Sequence, residues 1–477
     1  MENTALALPP SPPRTRRRTP AWTDAWGNPV ESASPAAVAE LDQAIVSLVE
    51  HRVDTGPHLD RALALDPDLV PALFIKAAGL LLLGRRDLVD DARGLLSRAR
   101  RALGRRAGDG RDRGLVRALS AWCASDQPGT VRELEALLSA APRDLLVVKM
   151  THACHFMFGQ AERMRPVLER ALAAWPAGAP GRGYVLGCYA FALEEEGHYG
   201  EAERVGREAV GLNPQDAWAT HAVAHVLEMQ DRPRAGLRWL ADSEERFARC
   251  TNFAGHLAWH RALFHLELGQ VLEALSLHDR LVAIYPPRDY RDVSNAASLL
   301  LRIEEEGVSV DGRWRALVEG ARARLGDHGS AFADVHHVLS LVMGGADDDA
   351  REMVRSMGAA AAGRGTGAGD DPARVAVTVG EALCALAAGD AARATELLVA
   401  ARPTAARLGG SRAQRDVLEQ LLVRAALAAG ALAVARAVLS ERLRQRPDNA
   451  WAYARWLDLE QASAQATPPP ARQARAA

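Results

Sequence analysis

Apolar residues recur at helical spacing along most of the chain, and the alternation of apolar and polar residues typical of strands is nearly absent. Glycine- and proline-containing stretches interrupt the helical pattern at regular distances, as the turns of helix pairs do. The pattern therefore predicts paired antiparallel helices from about residue 35 to residue 460, with no sheet.

The clearest repeat unit runs from residue 183 to residue 214. Its expected turn is Gly197-His198-Tyr199. Small residues and a closing proline occupy the positions at which tetratricopeptide repeats keep them, namely Ala202, Ala209 and Asn213-Pro214. Counting on from this unit places the next two inner helices at about 216–230 and 252–268. The sequence predicts an all-α fold, a tetratricopeptide-like helical-repeat superhelix (α-solenoid).

Composition sets the expected limits of the repeat domain. Residues 1–21 are rich in proline and arginine and are predicted to be a disordered tail, as is the Pro/Ala/Gln stretch 461–477. The helical-repeat domain is expected to span 22–460. Within it, the glycines between positions 358 and 372 predict a Gly-rich linker rather than a phosphate-binding loop, because no strand precedes them and no Gly-Lys-Ser follows.

Charge and cysteine content narrow the possible partners and the compartment. The 58 basic and 60 acidic residues are interleaved and leave a net charge of −2, so we expect no nucleic-acid partner. No apolar run approaches the ~18 residues of a membrane span, so no membrane partner is expected. The 5 cysteines are far apart and odd in number, which favours a reducing, cytoplasmic location.

Two histidine pairs carry the strongest chemical signal. His221 and His225 are spaced i, i+4, so they share one helical face, which Glu228 joins three residues later. His256 and His260 form a second pair, and each lies 35 residues after its counterpart, about the ~34-residue period of the repeat. The four imidazoles and the carboxylate are therefore predicted to meet on adjacent helices.

Several blocks of the chain resemble the tetratricopeptide repeat protein 38 family in the same order. They are Asp216-Ala217-Trp218 with the two histidine pairs, Glu305-Glu306-Gly307-Val308-Ser309-Val310, Asp327-His328, Phe332-x-Asp334-x-His336, and Gly409-Gly410-Ser411-x-Ala413-Gln414-Arg415-Asp416-Val417. The resemblance covers about residues 22 to 450. It implies an α-helical repeat protein of the cytoplasm and names no reaction.

The polar members of these blocks are the candidate pocket residues. Matched one at a time, they are His152, Glu195, His221, His225, Glu228, His256, His260, Asp334, His336, Arg415 and Asp416. Tyr189, His328 and Gln414 also match polar positions of the family.

Three readings of the paired histidines stay open. They are buried structural residues that bond to Glu228 and to one another, or part of a ligand-binding or acid–base pocket. Alternatively they bind a divalent metal, with His221, His225, His256, His260 and Glu228 as ligands. The zinc-protease motif is His-Glu-x-x-His. Neither histidine pair has a glutamate at that position, which argues against this motif.

Two functions follow from these readings. The first is a repeat protein that binds a peptide or small ligand in a concave polar groove. The second is an enzyme acting on a small molecule through the histidine cluster, with metal dependence possible. A scaffold exposes its polar residues along an open groove, whereas an enzyme encloses them, so the burial of His225 and His260 discriminates between the two.

Overall fold

The computed structural model describes residues 20–106, 110–285, 287, 289–363 and 371–466. Twenty-four α-helices and one two-stranded sheet make up these described residues, which confirms the all-α helical-repeat expectation. Helices of the first half are α1 (Pro35–Val49), α2 (Thr55–Leu65), α3 (Val70–Leu82), α4 (Val89–Arg105), α5 (Gly110–Cys123), α6 (Gln127–Ala140), α7 (Leu145–Met157), α8 (Ala161–Leu172), α9 (Arg182–Glu195), α10 (Tyr199–Leu212), α11 (Ala217–Met229) and α12 (Pro233–Trp239).

The second half continues the same pairing of antiparallel neighbours. Its helices are α13 (Ser243–Arg246), α14 (Phe253–Glu267), α15 (Val271–Leu277), α16 (Tyr290–Glu305), α17 (Trp314–Arg322), α18 (Ala331–Met343), α19 (Asp347–Gly363), α20 (Pro372–Ala387), α21 (Ala391–Ala401), α22 (Arg412–Ala428), α23 (Leu432–Gln445) and α24 (Ala450–Ala466). Short 3-10 turns lie at Arg86–Leu88, Asp311–Arg313 and Arg402–Leu408, and a π-helical turn lies at His278–Val282.

Local chemistry sets the ends of the helices that build the centre of the fold. The Asp216 carboxylate accepts a hydrogen bond from the backbone N–H of Ala219 and so caps α11. Gly197 ends the preceding repeat's inner helix with a φ of 86°, a left-handed conformation that glycine adopts without a steric penalty. The turn predicted at this glycine is therefore the observed one.

The sheet is a hairpin that precedes the first helix. Strand β1 (Ala21–Thr23) pairs antiparallel with β2 (Pro29–Glu31), with Trp22 opposite Val30. The Asp24 carboxylate holds the turn by accepting hydrogen bonds from the backbone N–H groups of Trp26 and Asn28. Residue 21, expected to belong to a disordered tail, is thus ordered, whereas residues 1–19 lie outside the described part of the chain.

Two other expected irregular segments are partly helical. Helix α19 continues to Gly363 and α20 begins at Pro372, so the linker expected at 358–372 is helical at both ends; positions 364–370 lie outside the described residues. Helix α24 continues to Ala466, six residues into the expected tail at 461–477. Alanine and glutamine dominate these extensions, and their high helix propensity explains the extra turns.

The inner helices α9, α11, α14 and α16 pack side by side in that order, and α22 returns to lie against α11 and α16. The apolar core forms two clusters that meet at α14, one formed by residues 26–264 and the other by residues 258–459. C-terminal repeats therefore cover the side of the inner helices that an open solenoid would leave as a groove. Among the described residues, no helix has the length and apolarity to cross a membrane.

Candidate functional site

The four paired histidines meet in the interior between α11 and α14. His225 and His260 are both 0% exposed, and His221 and His256 are also buried. The structure thus brings together the side chains whose 35-residue spacing predicted a meeting.

Three of the ring nitrogens converge on one point. The Nε2 atom of His221 lies 2.8 Å from Nε2 of His225 and 3.0 Å from Nε2 of His256. His260 completes the group, with its ring centroid 4.5 Å from that of His225. One ligand atom from each of the four residues lies within 4.8 Å of the others, a spacing that a single metal ion could bridge.

Acceptors behind the rings fix which nitrogen carries the proton. Nδ1–H of His256 donates to Oδ1 of Asn295 at 2.9 Å, and Nδ1–H of His260 donates to Oε2 of Glu228 at 2.8 Å. A neutral imidazole with its proton on Nδ1 keeps a lone pair on Nε2. The lone pairs of these two histidines therefore sit on the nitrogens that belong to the cluster.

Burial keeps the rings neutral. It lowers the pKa of His221, His256 and His260 well below the usual value, and neighbouring imidazoles add to the effect at His221. Burial also lowers the pKa of His225 and raises the pKa of Glu228. Neutral imidazoles with inward lone pairs are the protonation state that binds a metal ion.

Aromatic rings close the site against water. The ring centroids of Trp218 and Phe253 lie 5.0 and 5.2 Å from that of His221, and Phe191 lies 5.3 Å from His225. Trp259 stacks on His256 with ring centroids 5.3 Å apart. Electrostatic interactions in such a dry enclosure are stronger than at a surface.

A second polar layer, from α9 and α22, lies behind His225. Oε1 of Glu195 accepts the backbone N–H of Arg412 at 2.8 Å, and Oε2 lies 3.4 Å from the guanidinium of Arg415. Glu194 lies beside them, with Oε2 at 3.5 Å from Nδ1 of His225. The predicted residues Glu195 and Arg415 therefore adjoin the histidine cluster through His225.

Asp416 belongs to a neighbouring network. Burial alone would raise the pKa of this carboxyl group, but the paired guanidinium of Arg442 lowers it to about 2. Arg302, which lies 3.9 Å from Asp416, stacks over the Trp259 ring that covers His256. Through Arg302, the network connects α22 to Trp259, the ring that stacks on His256.

Two cavities adjoin these layers. One of about 330 Å³ lies between α11 and the C-terminal repeats and is lined by basic side chains, Arg402, Arg412, Arg415, Arg442 and Arg446, together with Asp416, Glu419 and Glu441. A smaller one of about 110 Å³ lies beside Glu228, Arg302 and Asp416. The larger volume falls in the range of small-molecule sites.

The remaining predicted residues lie elsewhere. Trp218 stands between His152 and the cluster, 5.4 Å from the His152 ring. Asp334 pairs with His328 at 3.4 Å and lines a separate cavity of about 520 Å³. Nδ1–H of His336 donates to the backbone oxygen of Phe332 at 2.8 Å. Glu228, expected among the metal ligands, instead accepts a hydrogen bond from Nδ1 of His260 and so lies on the side of that ring away from the other histidines.

Sequence reasoning missed three residues that shape the site. Glu194 was passed over in favour of its neighbour Glu195, although its carboxylate is the one that faces His225. Asn295 and Arg302 lie on α16, one helix beyond the histidine pairs, where no polar pattern marks them. A sequence signal was present in the three consecutive acidic residues Glu194-Glu195-Glu196. Burying a carboxylate is costly unless it has a partner, so a buried member of this run indicates a polar site.

Comparison with known proteins returned no matching family model. Similar solved structures include a tetratricopeptide repeat protein from Parabacteroides merdae, with a TM-score of 0.35 and 13% identity, covering 67% of this chain and 99% of that chain. The Cut9–Hcn1 hetero-tetramer of APC/C has a TM-score of 0.42 and 13% identity over 89% of this chain and 75% of that chain. Human IFIT1, solved as a dimer with PPP-AAAA, has a TM-score of 0.39 and 13% identity over 90% and 91% of the two chains.

The helix pairs, their turn glycines and the regular stacking of the inner helices make this chain a tetratricopeptide-type helical-repeat protein.

Proposed function

We propose that this protein binds a divalent transition-metal ion through the Nε2 atoms of His221, His225, His256 and His260. The observation that carries the proposal is the convergence of Nε2 atoms at 2.8 and 3.0 Å while acceptors hold Nδ1 of His256 and His260. Metal-bound histidines usually donate their other N–H to a carboxylate or carbonyl oxygen in this way. Imidazole nitrogen suits zinc, copper, iron and nickel.

A purely structural role for the cluster leaves its polar atoms poorly satisfied. Nε2 of His260 is buried without a hydrogen-bond partner, at a cost of about 1–3 kcal/mol. A cation at the centre replaces facing lone pairs with metal–nitrogen bonds of about 2.0–2.1 Å after small rotations of the rings.

Four nitrogen ligands saturate a tetrahedral ion, whereas catalytic zinc sites keep a position open. The four-histidine site is therefore proposed to hold its ion firmly and to tie α11 to α14. We also propose, from the sequence blocks described above, that the protein belongs to the tetratricopeptide repeat protein 38 family and works in the cytoplasm.

A second function, binding of a small anionic ligand, is supported by the cavity of about 330 Å³. Five arginines and three acidic residues line it. Its size suits a small molecule better than a peptide, because α22 occupies the groove that an extended peptide would need. Planar guanidinium groups bind carboxylates and phosphates with two hydrogen bonds.

Metal content tests the first function. Purified protein, stripped by chelator and then given Co²⁺ or Zn²⁺, is expected to retain metal through gel filtration and to show the visible absorption of tetrahedral Co²⁺. His260→Ala should lose both signals. The control is His265→Ala. His265 lies on the same helix, but its ring hydrogen-bonds to Gln270 and does not contact the cluster. Absence of retained metal from wild type with every imidazole-preferring ion overturns the proposal.

The ligand function is checked on the same samples by calorimetric titration with citrate, a small tricarboxylate. Arg412→Ala is expected to weaken citrate binding about tenfold or more, since one charge-assisted contact contributes about 1.5–3 kcal/mol. Citrate binding that is equal in wild type and Arg412→Ala, or absent from both, contradicts the proposed ligand class.

A further inference from the structure

We propose that His225 bridges two metal positions, its Nε2 atom serving the four-histidine site and its Nδ1 atom serving a second cation held with Glu194 and Glu195. This inference rests on the proposed function, because the first ion defines the bridge. The three side chains form a group in which one ligand atom from each lies within 4.8 Å of the others. All three are buried.

Unsatisfied atoms point into this second position. Nδ1 of His225 is buried without a hydrogen-bond partner, and the buried carboxyl group of Glu194 has no partner other than the adjacent carboxyl group of Glu195. Buried polar groups without partners are uncommon and call for a missing ligand, water or ion. The distance between Oε2 of Glu194 and Nδ1 of His225 is 3.5 Å, which is too long for a good hydrogen bond from Nδ1–H to the carboxylate.

The pair formed by His260 and Glu228 gives the comparison, because in it a carboxylate accepts a hydrogen bond from a histidine of the same cluster. There the carboxylate oxygen lies 2.8 Å from Nδ1, at hydrogen-bonding distance. Glu194 approaches His225 from the corresponding side but stops short of that distance. A cation between them accounts for the separation, because metal–ligand bonds would hold both atoms without direct contact.

Carboxyl groups and arginines both lie at this position. Glu194 and Glu195 lie side by side, the Arg415 guanidinium lies 3.4 Å from Glu195, and the charge of Arg412 also acts on Glu194. A divalent ion bound here would displace the Nδ1 proton of His225, and that proton leaves to solvent.

The second position differs chemically from the first. Two carboxylates and one imidazole suit zinc, iron or manganese, and three protein ligands leave coordination positions open for water or substrate. Glu195 accepts the backbone N–H of Arg412 and pairs with Arg415, and both arginines line the cavity of about 330 Å³. The open positions therefore adjoin the cavity proposed for a small anionic ligand.

Metal stoichiometry tests the inference. After removal of metal and reconstitution with Zn²⁺, wild type is expected to hold two ions per chain and Glu194→Gln one, a twofold loss. Glu195→Gln is the second variant and should give the same result. The control is Glu196→Gln, the next carboxylate along the chain, which pairs with Arg165 on the other side and should keep both ions.

Reconstitution with Cu²⁺ gives a readout of the bridge itself. Two Cu²⁺ ions joined by one imidazolate couple magnetically, so the electron paramagnetic resonance signal of wild type should integrate to well below its copper content. Glu194→Gln should show the full signal of one isolated ion.

The outcomes separate the two proposals. One ion in wild type and one in Glu194→Gln overturns the second position and leaves the four-histidine site standing. Two ions in both proteins also overturn it, because the second ion then lies elsewhere. No ion in any of the proteins overturns both.

Discussion

At the residue scale, the position of each ring proton decides what the histidine cluster can do. Asn295 and Glu228 accept hydrogen bonds from Nδ1 of His256 and His260, which leaves the lone pairs on the converging nitrogens. The position of the proton on these two rings thus depends on residues that lie one layer behind the histidines.

His337 leads to a prediction about stability in acid. Burial lowers the pKa of this imidazole to about 3, and His336, Arg324 and His328 add smaller effects. The unfolded chain binds the proton at about pH 6.5. The stability that neutral His337 contributes is therefore complete above about pH 6.5 and is lost as the pH falls towards its folded pKa.

We expect the free energy of unfolding to fall less steeply with acid in His337→Leu than in wild type, by about 1.4 kcal/mol per pH unit below about pH 6. Urea unfolding followed by circular dichroism at a series of pH values measures the slope. The control is His198→Leu, since His198 is an exposed residue beside Arg165. Parallel curves for wild type and His337→Leu would show that His337 is not the proton-linked group.

The sequence predicted the residues of the site unevenly. Spacing alone identified His221, His225, His256 and His260, because a repeat period and a helical turn together place side chains in three dimensions. It did not identify Glu194, because the apolar pattern does not show how many of the three consecutive carboxylates Glu194, Glu195 and Glu196 are buried at the end of α9.

At the element scale, the helix pairs were predictable and their irregular parts were not. Capping residues such as Asp216 and Ser411 and turn glycines such as Gly197 act locally, so their effects are visible in the sequence. The β1–β2 hairpin escaped prediction because its strands are three residues long, too short to show alternation.

Close helix packing near the site also has a local cause that becomes clear only in the structure. A Cβ atom on Gly236 of α12 would lie 2.3 Å from the Phe264 ring of α14. Glycine therefore lets α12 approach the helix that carries His256 and His260. In the sequence, this glycine is indistinguishable from exposed ones such as Gly211, which has open space around its Cβ position.

At the scale of the whole molecule, the closure of the repeat array decides what can enter it. Arg407 donates to the backbone oxygen of Gly159 at 3.2 Å, and Trp451 donates to Glu305 at 3.2 Å. These contacts join residues far apart in the chain and do not follow the repeat period, so the sequence left both an open groove and an enclosed cluster as alternatives. The closed form confines ligands to cavities and keeps the histidine cluster dry.

Arg446 provides the test of this closure. Its buried guanidinium lies 2.9 Å from Asp231 and 3.3 Å from Glu267, and so joins the C-terminal repeats to the helices around the site. Arg446→Gln removes the charge and leaves the buried carboxylate of Asp231 and the partly buried carboxylate of Glu267 without it, at a cost of about 3–5 kcal/mol in the free energy of unfolding.

The matched control is Arg436→Gln, whose partner Glu460 lies 3.0 Å away at the surface, where an ion pair contributes about 1 kcal/mol or less. Thermal unfolding measures the stability of both variants, and limited proteolysis reports where the chain opens. Because the lost charge lies at the junction, cleavage of Arg446→Gln should begin in α22–α24 while the α1–α14 fragment resists. Equal stability of the two variants, or cleavage that begins in the N-terminal repeats, would mean that the C-terminal repeats are held in place by apolar packing instead of by this junction.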